Sequence, residues 1–332
     1  MRFLPQTIKT KEIQLLYDMM RDYPSRGGKG LRGSLCLLWC ELFSGKKNDA
    51  LVTASALEIF QNWILIHDDI EDGSDMRRGL PALHKKFGVE LAINTGDALH
   101  GKMWELLLTN RTIVGTEATL GVLFEFARML NETTEGQHMD LSWSLQNDWN
   151  IDEPDYLLMV TKKAAWYTCI TPCRLGLLIS QNVEKEENLS KLMDQIVDFG
   201  THLGIAFQIV DDVLNLTADE TKYGKEILGD LYEGKRTVML IHLLRKISGD
   251  QRKRVIESLS KPRPAKSAEE MNWIYDLMKN SGSIEYARRL AAKHSTSAME
   301  IFDEIAAKQS DLHPRIYAQT RNLLEYLTSR DY

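Results

Sequence analysis

The sequence lacks several features that would place it in a membrane, a secretory route or a nucleic-acid complex. It contains no apolar run of about 18 residues, the length that a membrane-spanning helix needs. Its first residues, MRFLPQTIKTKEIQLL, include no apolar stretch of the kind found in secretory signals. Acidic side chains number 47 against 41 basic ones, a net charge of −6, whereas nucleic-acid-binding proteins usually have a basic excess. We therefore expect a cytoplasmic protein with no membrane span and no nucleic-acid partner.

Cysteine is also scarce, with four residues in two pairs, Cys36/Cys40 and Cys169/Cys173. The spacing within each pair is one helical turn. Structural zinc sites favour tighter cysteine spacing in loops. We interpret the cysteines as buried thiols in a reducing compartment rather than as a four-sulfur zinc site.

Alternating β-branched patterns, the signature of strands, are nearly absent. Apolar residues instead recur at helical spacing, as in Leu57, Phe60 and Ile64. Prolines fall mostly between such segments; only Pro172 lies inside an apolar helical pattern, where we expect a kink. The sequence predicts an all-α fold, a single domain over residues 1–332 with about a dozen helices around a central cavity.

Two segments each carry an apolar helix that ends in an Asp-Asp pair. Asp68 and Asp72 are spaced i,i+4 and share one helical face, and Asp211 and Asn215 repeat this spacing. We expect two facing helices that bring carboxylates to a shared cavity. Two carboxylates about 5 Å apart repel by roughly 3 kcal/mol at an effective dielectric near 20, so such a cluster requires cations.

The donor set indicates which cation. Hard oxygen ligands without a histidine or cysteine pattern favour Mg²⁺ over zinc. Because Mg²⁺ typically combines one or two carboxylates with substrate phosphate oxygens, the clusters predict a phosphorylated substrate. Basic residues lie where a phosphate would need them, in RGGKGLRG (Arg26–Gly33), at Arg77 and Arg78, at Lys162 and Lys163, and in YGKEILGDLYEGKRT (Tyr223–Thr237).

Along nearly its whole length, the chain resembles the trans-isoprenyl (polyprenyl) diphosphate synthases of the short-chain farnesyl/geranylgeranyl type. LIHDDIEDGSDMRRGLPALH (Leu65–His84) is similar to the first Asp-rich motif of that family and GIAFQIVDDVLNL (Gly204–Leu216) to the second. GGKGLR (Gly27–Arg32), EGQHMDL (Glu135–Leu141) and GKEILGDLYEGKRT match further blocks in the expected order. Two positions depart from the usual pattern, Asn215 in place of Asp and Ala164 in place of Thr after the lysine.

The resemblance implies the isoprenoid synthase fold, a homodimer, and condensation of isopentenyl diphosphate with dimethylallyl, geranyl or farnesyl diphosphate. It also implies roles for individual residues. Three Mg²⁺ would bind the allylic diphosphate to Asp68, Asp72 and Asp211, supported by Asp69 and Asp212. Positive charge on the same diphosphate would come from Arg77, Lys163 and Lys225. Isopentenyl diphosphate would bind Lys29, Arg32, Gln61 and Arg78. Further positions that line the site in the family correspond to Gln137, Asp140, Gln208 and Lys235. Metal and lysine charge would stabilise the departing pyrophosphate, so no protein nucleophile is needed.

Product length depends on how deep the apolar part of the cavity is. Trp63 and Ile64 lie about one turn before Asp68, and Phe60 lies a further turn away. One turn is about 5.4 Å, comparable to one isoprene unit, so Trp63 would form the floor on which the growing tail ends. The alternative is that Trp63 only packs between helices. By resemblance, the bulky residue indicates a C20 product, geranylgeranyl diphosphate, with farnesyl diphosphate (C15) as the alternative.

Two other functions remain open on the sequence. His67 and Asp68 read as a His-Asp pair, which a metal phosphohydrolase of the HD type would combine with further histidines such as His84, His100 and His138. The second alternative is a non-catalytic subunit that regulates a partner synthase. The acidic and basic residues of the motifs argue against a non-catalytic role.

Overall fold

The structure, a computed structural model, describes residues 4–181, 186–218, 227–309 and 312–329. The described chain is helical almost throughout, which confirms the predicted all-α class. The first eight helices are α1 (Lys11–Ser25), α2 (Leu31–Leu42), α3 (Leu51–Glu71), α4 (Leu83–Phe87), α5 (Val89–Leu108), α6 (Thr116–Leu145), α7 (Glu153–Val160) and α8 (Thr171–Ser180). The others are α9 (Glu186–Thr217), α10 (Gly229–Glu233), α11 (Val238–Lys246), α12 (Gly249–Leu259), α13 (Ala268–Asn280), α14 (Ser283–Ala307) and α15 (Pro314–Thr328). Short 3₁₀ turns span Lys47–Ala50, Thr109–Thr112 and Arg263–Ala265. No described helix is both long enough and apolar enough to cross a bilayer.

Helix α3 lies at the centre of the N-terminal half. Its buried residues surround the helix axis instead of forming one stripe, which is the pattern of a helix enclosed by others. Helix α5 packs along it, and α2 packs on α8. Helix α9 is central in the C-terminal half, between α14 and the segment that precedes α8. The two acidic segments therefore lie on helices that other helices enclose.

A short β-hairpin follows α3 and was not predicted. Strands β1 (Met76–Arg77) and β2 (Leu80–Pro81) pair antiparallel. The two residues between them, Arg78 and Gly79, both have positive φ, 52° and 74°, as a type I′ turn requires. The Arg26 guanidinium donates to the carbonyl oxygens of Arg77 (2.8 Å) and Pro81 (2.9 Å). Arg26 thus ties the hairpin to the end of α1.

The helix that carries the two adjacent lysines is irregular. Residues Thr161–Ile170 form a π-helix between α7 and α8. Pro172 lies at the start of α8, where it has no N–H to donate to the Thr168 carbonyl as an α-helix would. The irregularity occurs next to Pro172, as the expected kink would, but takes the form of a π-helix. Such segments frequently mark functional sites.

Close approach of neighbouring helices holds the π-helix in place. A Cβ added to Gly136 of α6 would lie 2.2 Å from the backbone nitrogen of Lys163. A Cβ added to Gly204 of α9 would lie 2.3 Å from the Ala165 Cβ. Only glycine fits at these two positions, so α6 and α9 both pack closely against the π-helix.

All four cysteines are buried free thiols, as predicted. Burial raises the pKa of Cys36 and Cys173, which makes them unreactive packing residues. The described residues contain no group of three cysteine, histidine or acidic side chains placed to bind one metal ion. The single-domain organisation stays a prediction.

Candidate active site

A cavity of about 450 Å³ lies between α3, α6, the π-helix and α9. Asp68 of α3 and Asp211 of α9 both line it. Asp68 lines the cavity near the C-terminal end of α3, and Phe60, Trp63 and Ile64 line it one to two turns earlier on the same helix. The residues proposed from sequence that line this cavity are Arg32, Phe60, Gln61, Trp63, Ile64, Asp68, Arg77, Arg78, Gln137, Asp140, Lys163, Gln208, Asp211, Asp212 and Lys235.

Three of the proposed residues that the structure describes, Lys29, Asp69 and Asp72, are not in this lining. A fourth, Lys225, lies outside the described residues. Lys29 is exposed on the loop before α2, with its Nζ 5.2 Å from the Tyr326 ring centroid. Asp69 is completely buried. Asp72 follows the last residue of α3 and faces Lys235.

The two aspartates of the first pair have different surroundings. Asp68 lines the cavity. Asp69 accepts hydrogen bonds from the Tyr23 hydroxyl (2.5 Å) and from the Arg77 guanidinium, whose Nε is 2.9 Å from Oδ1. Burial, and then the charge of Asp69, raise the pKa of Tyr23, so Tyr23 remains a donor at neutral pH. Arg77 also contacts Asp68 at 3.4 Å and therefore links the buried aspartate to the one that lines the cavity.

The second pair is organised in a similar way. Asp211 lines the cavity. Asp212 is 6% exposed and accepts hydrogen bonds from the Tyr156 hydroxyl (2.7 Å) and the Gln208 amide (2.8 Å). Burial raises the pKa of Asp212 to about 6, although both hydrogen bonds act in the opposite direction.

Lys235 neutralises the acids at the rim of the cavity. Its Nζ lies 2.8 Å from Asp72 and 2.6 Å from Glu233. Burial raises the pKa of Asp72 to about 7, against the lowering effect of Lys235. Burial opposes the charged form of Lys235, but the surrounding carboxylates, led by Asp72 and Glu233, together raise the pKa of this lysine. Glu233 was not identified from the sequence.

The neighbouring lysines of the π-helix face different surroundings. Lys163 lines the cavity and donates to Asp140. Burial opposes its charge, but the neighbouring carboxylates, Asp140 above all, together raise the pKa of Lys163. Lys162 forms ion pairs with Glu132 (2.7 Å) and Glu135 (2.6 Å) and is not in the lining.

A second group of polar residues lies beside the hairpin. Arg78 donates to the Tyr23 carbonyl (2.6 Å) and to the Asn62 amide oxygen (3.2 Å). Arg32 is buried, donates to Thr168 and lies 4.2 Å from the Tyr167 ring centroid. These contacts hold two guanidinium groups at the cavity wall, where an anion can bind between them.

The apolar end of the cavity is formed by stacked rings. The Trp63 ring stacks on His100 of α5 with a centroid distance of 4.1 Å and an interplanar angle of 12°. Phe60 meets Trp63 edge-on at 5.4 Å. The Trp104 indole donates to His100 Nε2 at 2.8 Å. Trp63 and Phe60 line the cavity, whereas His100 and Trp104 support Trp63 from behind.

The histidines do not form a metal site. His67 lines the cavity, and its Nε2 lies 3.3 Å from the carbonyl oxygen of Ile93 in α5. His100 is stacked on Trp63, and His138 is exposed on α6. No group of three potential ligands that includes a histidine occurs among the described residues. The arrangement required by an HD-type phosphohydrolase is therefore not found in this part of the chain.

Asn215 has a structural role. Its side-chain oxygen accepts the Asp230 backbone N–H at 3.1 Å, and Asn215 is buried and outside the cavity lining. Asn215 therefore connects α9 to the start of α10 in this structure. Ala164 does line the cavity.

Sequence reasoning missed the residues that hold the site in place. Tyr23, Tyr156, Asn62 and Arg26 each contact a predicted site residue or the hairpin. None belongs to an acidic cluster. The one available signal was their position next to predicted site residues, since Asn62 follows Gln61 and Arg26 directly precedes GGKGLR.

The donor set fits magnesium. Asp68 and Asp211 face one cavity from two helices, Asp72 lies at its rim, and no histidine or cysteine is a member of the set. Carboxylate oxygens are the ligands that Mg²⁺ prefers. Because Mg²⁺ takes much of its coordination from water and phosphate oxygens, it does not need three protein ligands in one place.

Comparison with known proteins finds similar sequences and structures over most of the chain. Residues 13–278 match the family model described as Polyprenyl synthetase. The geranylgeranyl diphosphate synthase of Sulfolobus acidocaldarius is 35% identical, with 90% of this chain and 86% of that protein aligned. The geranylfarnesyl diphosphate synthase of Natronomonas pharaonis is 31% identical, with 98% of this chain and 93% of that protein aligned. The crystal structure of geranylgeranyl pyrophosphate synthase from Corynebacterium glutamicum, complexed with isoprenyl diphosphate and magnesium, superposes with a TM-score of 0.85 at 26% identity, covering 96% and 92% of the two chains.

Proposed function

This chain belongs to the polyprenyl synthetase family and is a short-chain prenyltransferase, and we propose that its product is geranylgeranyl diphosphate. Isopentenyl diphosphate is the common substrate, and dimethylallyl, geranyl and farnesyl diphosphates are the allylic substrates. The reaction breaks the allylic carbon–oxygen bond and forms a carbon–carbon bond to isopentenyl diphosphate. The proton lost from the new product goes to the released pyrophosphate.

One observation carries this proposal: the two ends of the cavity have opposite character. Asp68, Lys163 and Lys235 lie at the polar end, and Phe60 and Trp63 lie at the apolar end. A prenyl diphosphate has the same polarity, a charged head on an apolar tail. The volume of about 450 Å³ is in the range of small-molecule sites.

Asp68, Asp72 and Asp211 would hold the Mg²⁺ ions, three per active site by the family resemblance. Bound ions supply positive charge that stabilises the leaving diphosphate. Lys163 and Lys235 add fixed charge at the same end, and Arg77 does so while held by Asp69. Because these cations are already ordered by their acidic partners, little reorganisation is needed when charge develops on the leaving group.

Arg32, Gln61 and Arg78 would bind isopentenyl diphosphate. All three line the cavity on the side of α2 and the hairpin. The guanidinium of Arg78 is oriented by Asn62 and by the Tyr23 carbonyl. Bidentate binding of phosphate oxygens by arginine suits such an arrangement. Lys29 would join them from the exposed loop before α2.

The experiment that tests the proposal uses the purified chain with Mg²⁺, labelled isopentenyl diphosphate and each allylic primer in turn. Chromatography of the dephosphorylated products should show a C20 alcohol. A C15 alcohol would correct the product to farnesyl diphosphate. Absence of chain extension with every primer would contradict the proposal, and release of inorganic phosphate without extension would favour a phosphohydrolase.

Metal dependence is tested separately. Removal of Mg²⁺ with a chelator should abolish product formation, and added Mg²⁺ should restore it. Asp68→Asn should weaken the binding of Mg²⁺ together with inorganic pyrophosphate, measured by calorimetry. Asp97→Asn, an exposed acid on α5 outside the cavity lining, is the matched control and should bind normally.

We further propose that a second copy of the chain covers the α5–α6 face. We define this face by the exposed side chains Ile93, Leu108, Leu120 and Phe124. These are 43%, 60%, 44% and 73% exposed. Such exposed apolar side chains favour an interface, and the family resemblance implies a homodimer. Sedimentation should show a dimer that Phe124→Glu dissociates. A wild-type monomer at micromolar concentration would contradict this.

We also propose a cytoplasmic location, because the cysteines are free and free thiols are typical of a reducing compartment. Cell fractionation tests it: recovery with cytoplasmic markers is the expected result, and recovery with exported proteins would contradict it.

A further inference from the structure

The two Asp-Asp pairs share a feature that their sequences do not show. In each pair the first aspartate lines the cavity, and the second is buried and hydrogen-bonded to a tyrosine hydroxyl from another helix. Asp69 is outside the cavity lining, whereas Asp212 is buried and also reaches it. Tyr23 of α1 donates to Asp69 at 2.5 Å, and Tyr156 of α7 donates to Asp212 at 2.7 Å. Both tyrosines are at most 1% exposed.

The rest of each carboxylate's surroundings differs. Asp69 also binds the Arg77 guanidinium through two nitrogen atoms. Asp212 has a neutral second donor, the Gln208 amide. The Tyr23 hydroxyl additionally accepts the Leu83 backbone N–H at 2.9 Å. The Tyr156 hydroxyl makes a hydrogen bond to Asp212.

On the proposed prenyltransferase function, we propose that Tyr23 and Tyr156 are positioning residues that fix the orientation of the second aspartate of each pair. The first aspartate and the cavity lysines then remain available to the diphosphate. Tyr23 is outside the cavity lining, whereas Tyr156 is part of it. Each acts through the carboxylate that it binds.

The physical argument rests on the cost of an unsatisfied buried carboxylate. A hydrogen bond to a charged group is stronger than one between neutral groups, and a buried acceptor that loses its donor bears a desolvation penalty. Asp212 without the hydroxyl would turn towards the nearest cation. Lys235 already acts on Asp212 electrostatically and lines the same cavity. A lysine paired with Asp212 would be less available to a diphosphate.

The difference between the two pairs predicts an order of effects. Asp69 keeps its guanidinium partner when Tyr23 loses the hydroxyl. When Tyr156 does, Asp212 keeps the Gln208 amide as its hydrogen-bond donor among the described residues. Tyr156→Phe should therefore lower kcat by about tenfold or more, and Tyr23→Phe by about threefold. The KM for isopentenyl diphosphate should change by less than about twofold in Tyr156→Phe, because Arg32 and Arg78 are not contacted by Tyr156.

Tyr317 offers a matched control. Its hydroxyl donates to Asp303 at 2.7 Å, and both residues lie outside the cavity lining. Tyr317→Phe removes a hydrogen bond of the same type and should leave kcat unchanged. The three variants are compared for kcat, for thermal unfolding, and for the affinity of Mg²⁺ with inorganic pyrophosphate by calorimetry. Tyr156→Phe should weaken pyrophosphate binding by about tenfold.

A double mutant separates positioning from packing. In an Asp212→Asn background the hydroxyl donates to a neutral amide oxygen, and hydrogen bonds between neutral groups are weaker. Tyr156→Phe should then weaken pyrophosphate binding by less than about threefold. A tenfold effect in both backgrounds would mean that the ring environment matters and would overturn the proposal. If Tyr156→Phe alone does not fold, pyrophosphate binding is still compared between Asp212→Asn and the double mutant. A tenfold difference there would also overturn the proposal.

Other results decide just as clearly. If Tyr156→Phe keeps the wild-type kcat and pyrophosphate affinity, the proposal is wrong. The same holds if Tyr317→Phe loses as much activity. If the wild-type chain forms no prenyl product, it is the proposed function that fails, and the pyrophosphate measurements still decide the role of the tyrosines.

Discussion

Trp63→Ala tests the product-length hypothesis most directly. Trp63 lies five residues before Asp68 on the same helix, about 7.5 Å along its axis, and Phe60 lies about 4.5 Å further. Both rings line the cavity. Removing the indole should move the floor of the cavity from Trp63 to Phe60. That step is comparable to one isoprene unit, so we expect the main product to lengthen from C20 to C25.

The substitution also has a cost in stability that must be separated from its effect on length. Trp63 is 8% exposed and stacks on His100. Replacing a buried tryptophan by alanine typically destabilises a protein by about 3–5 kcal/mol. Trp63→Leu keeps part of the volume and should show an intermediate shift, with a mixture of C20 and C25. Circular dichroism establishes that both variants are folded at the assay temperature.

Trp104→Ala is the matched control, since Trp104 contacts the same His100 but does not line the cavity. Each variant is incubated with labelled isopentenyl diphosphate and farnesyl diphosphate, and the dephosphorylated products are separated by chain length. Trp104→Ala should give the wild-type product. If folded Trp63→Ala also gives the wild-type product, the indole is a packing group and the floor lies elsewhere.

Three further predictions concern single positions. Lys163→Met should lower kcat/KM for the allylic substrate by about 100-fold in steady-state assays, whereas Lys162→Met, which is not in the cavity lining, should change it by less than about threefold; equal losses would contradict the assignment. Gly136→Ala should lower the melting temperature in calorimetry because its Cβ meets the Lys163 backbone, while Gly101→Ala, with open space around it, should keep or slightly raise it; the reverse order would contradict the packing argument. Burial lowers the pKa of His294 to about 4 from 6.5, so the unfolded chain binds more protons between these values and the free energy of unfolding should fall as pH decreases from 6.5 to 4. Urea unfolding at pH 7.5 and 5 measures this loss, and His294→Gln should reduce it; an unchanged loss in that variant would assign the effect to other groups.

The helical fold could be predicted because long helices repeat their apolar positions at a regular spacing. Helix α3 is the example, with Leu57 and Phe60 both buried where the pattern put them. The hairpin β1–β2 could not be predicted in this way, because two-residue strands are too short to show a period. The π-helix has no sequence period of its own, and only Pro172 indicated the irregularity.

The site residues could be predicted where residues of the required chemical type are neighbours in the sequence. Asp68 and Asp211 followed from paired acids on apolar helices, and both line one cavity. Tyr23 and Tyr156 are 46 and 56 residues from the aspartates that they bind, and each is a single residue without a motif. Such partners depend on how helices pack, which the spacing of residues along the chain does not encode.

The backbone of the hairpin turn bears on any attempt to make this protein more heat-resistant. Arg78 has a φ of 52°, a left-handed conformation that costs a residue with a side chain roughly 1–2 kcal/mol, and asparagine or glycine would adopt it more easily. Selection for thermal tolerance alone should therefore enrich those replacements at position 78. The surviving variants would fold better and would have lost a guanidinium from the cavity wall, so any such screen needs turnover as a second criterion.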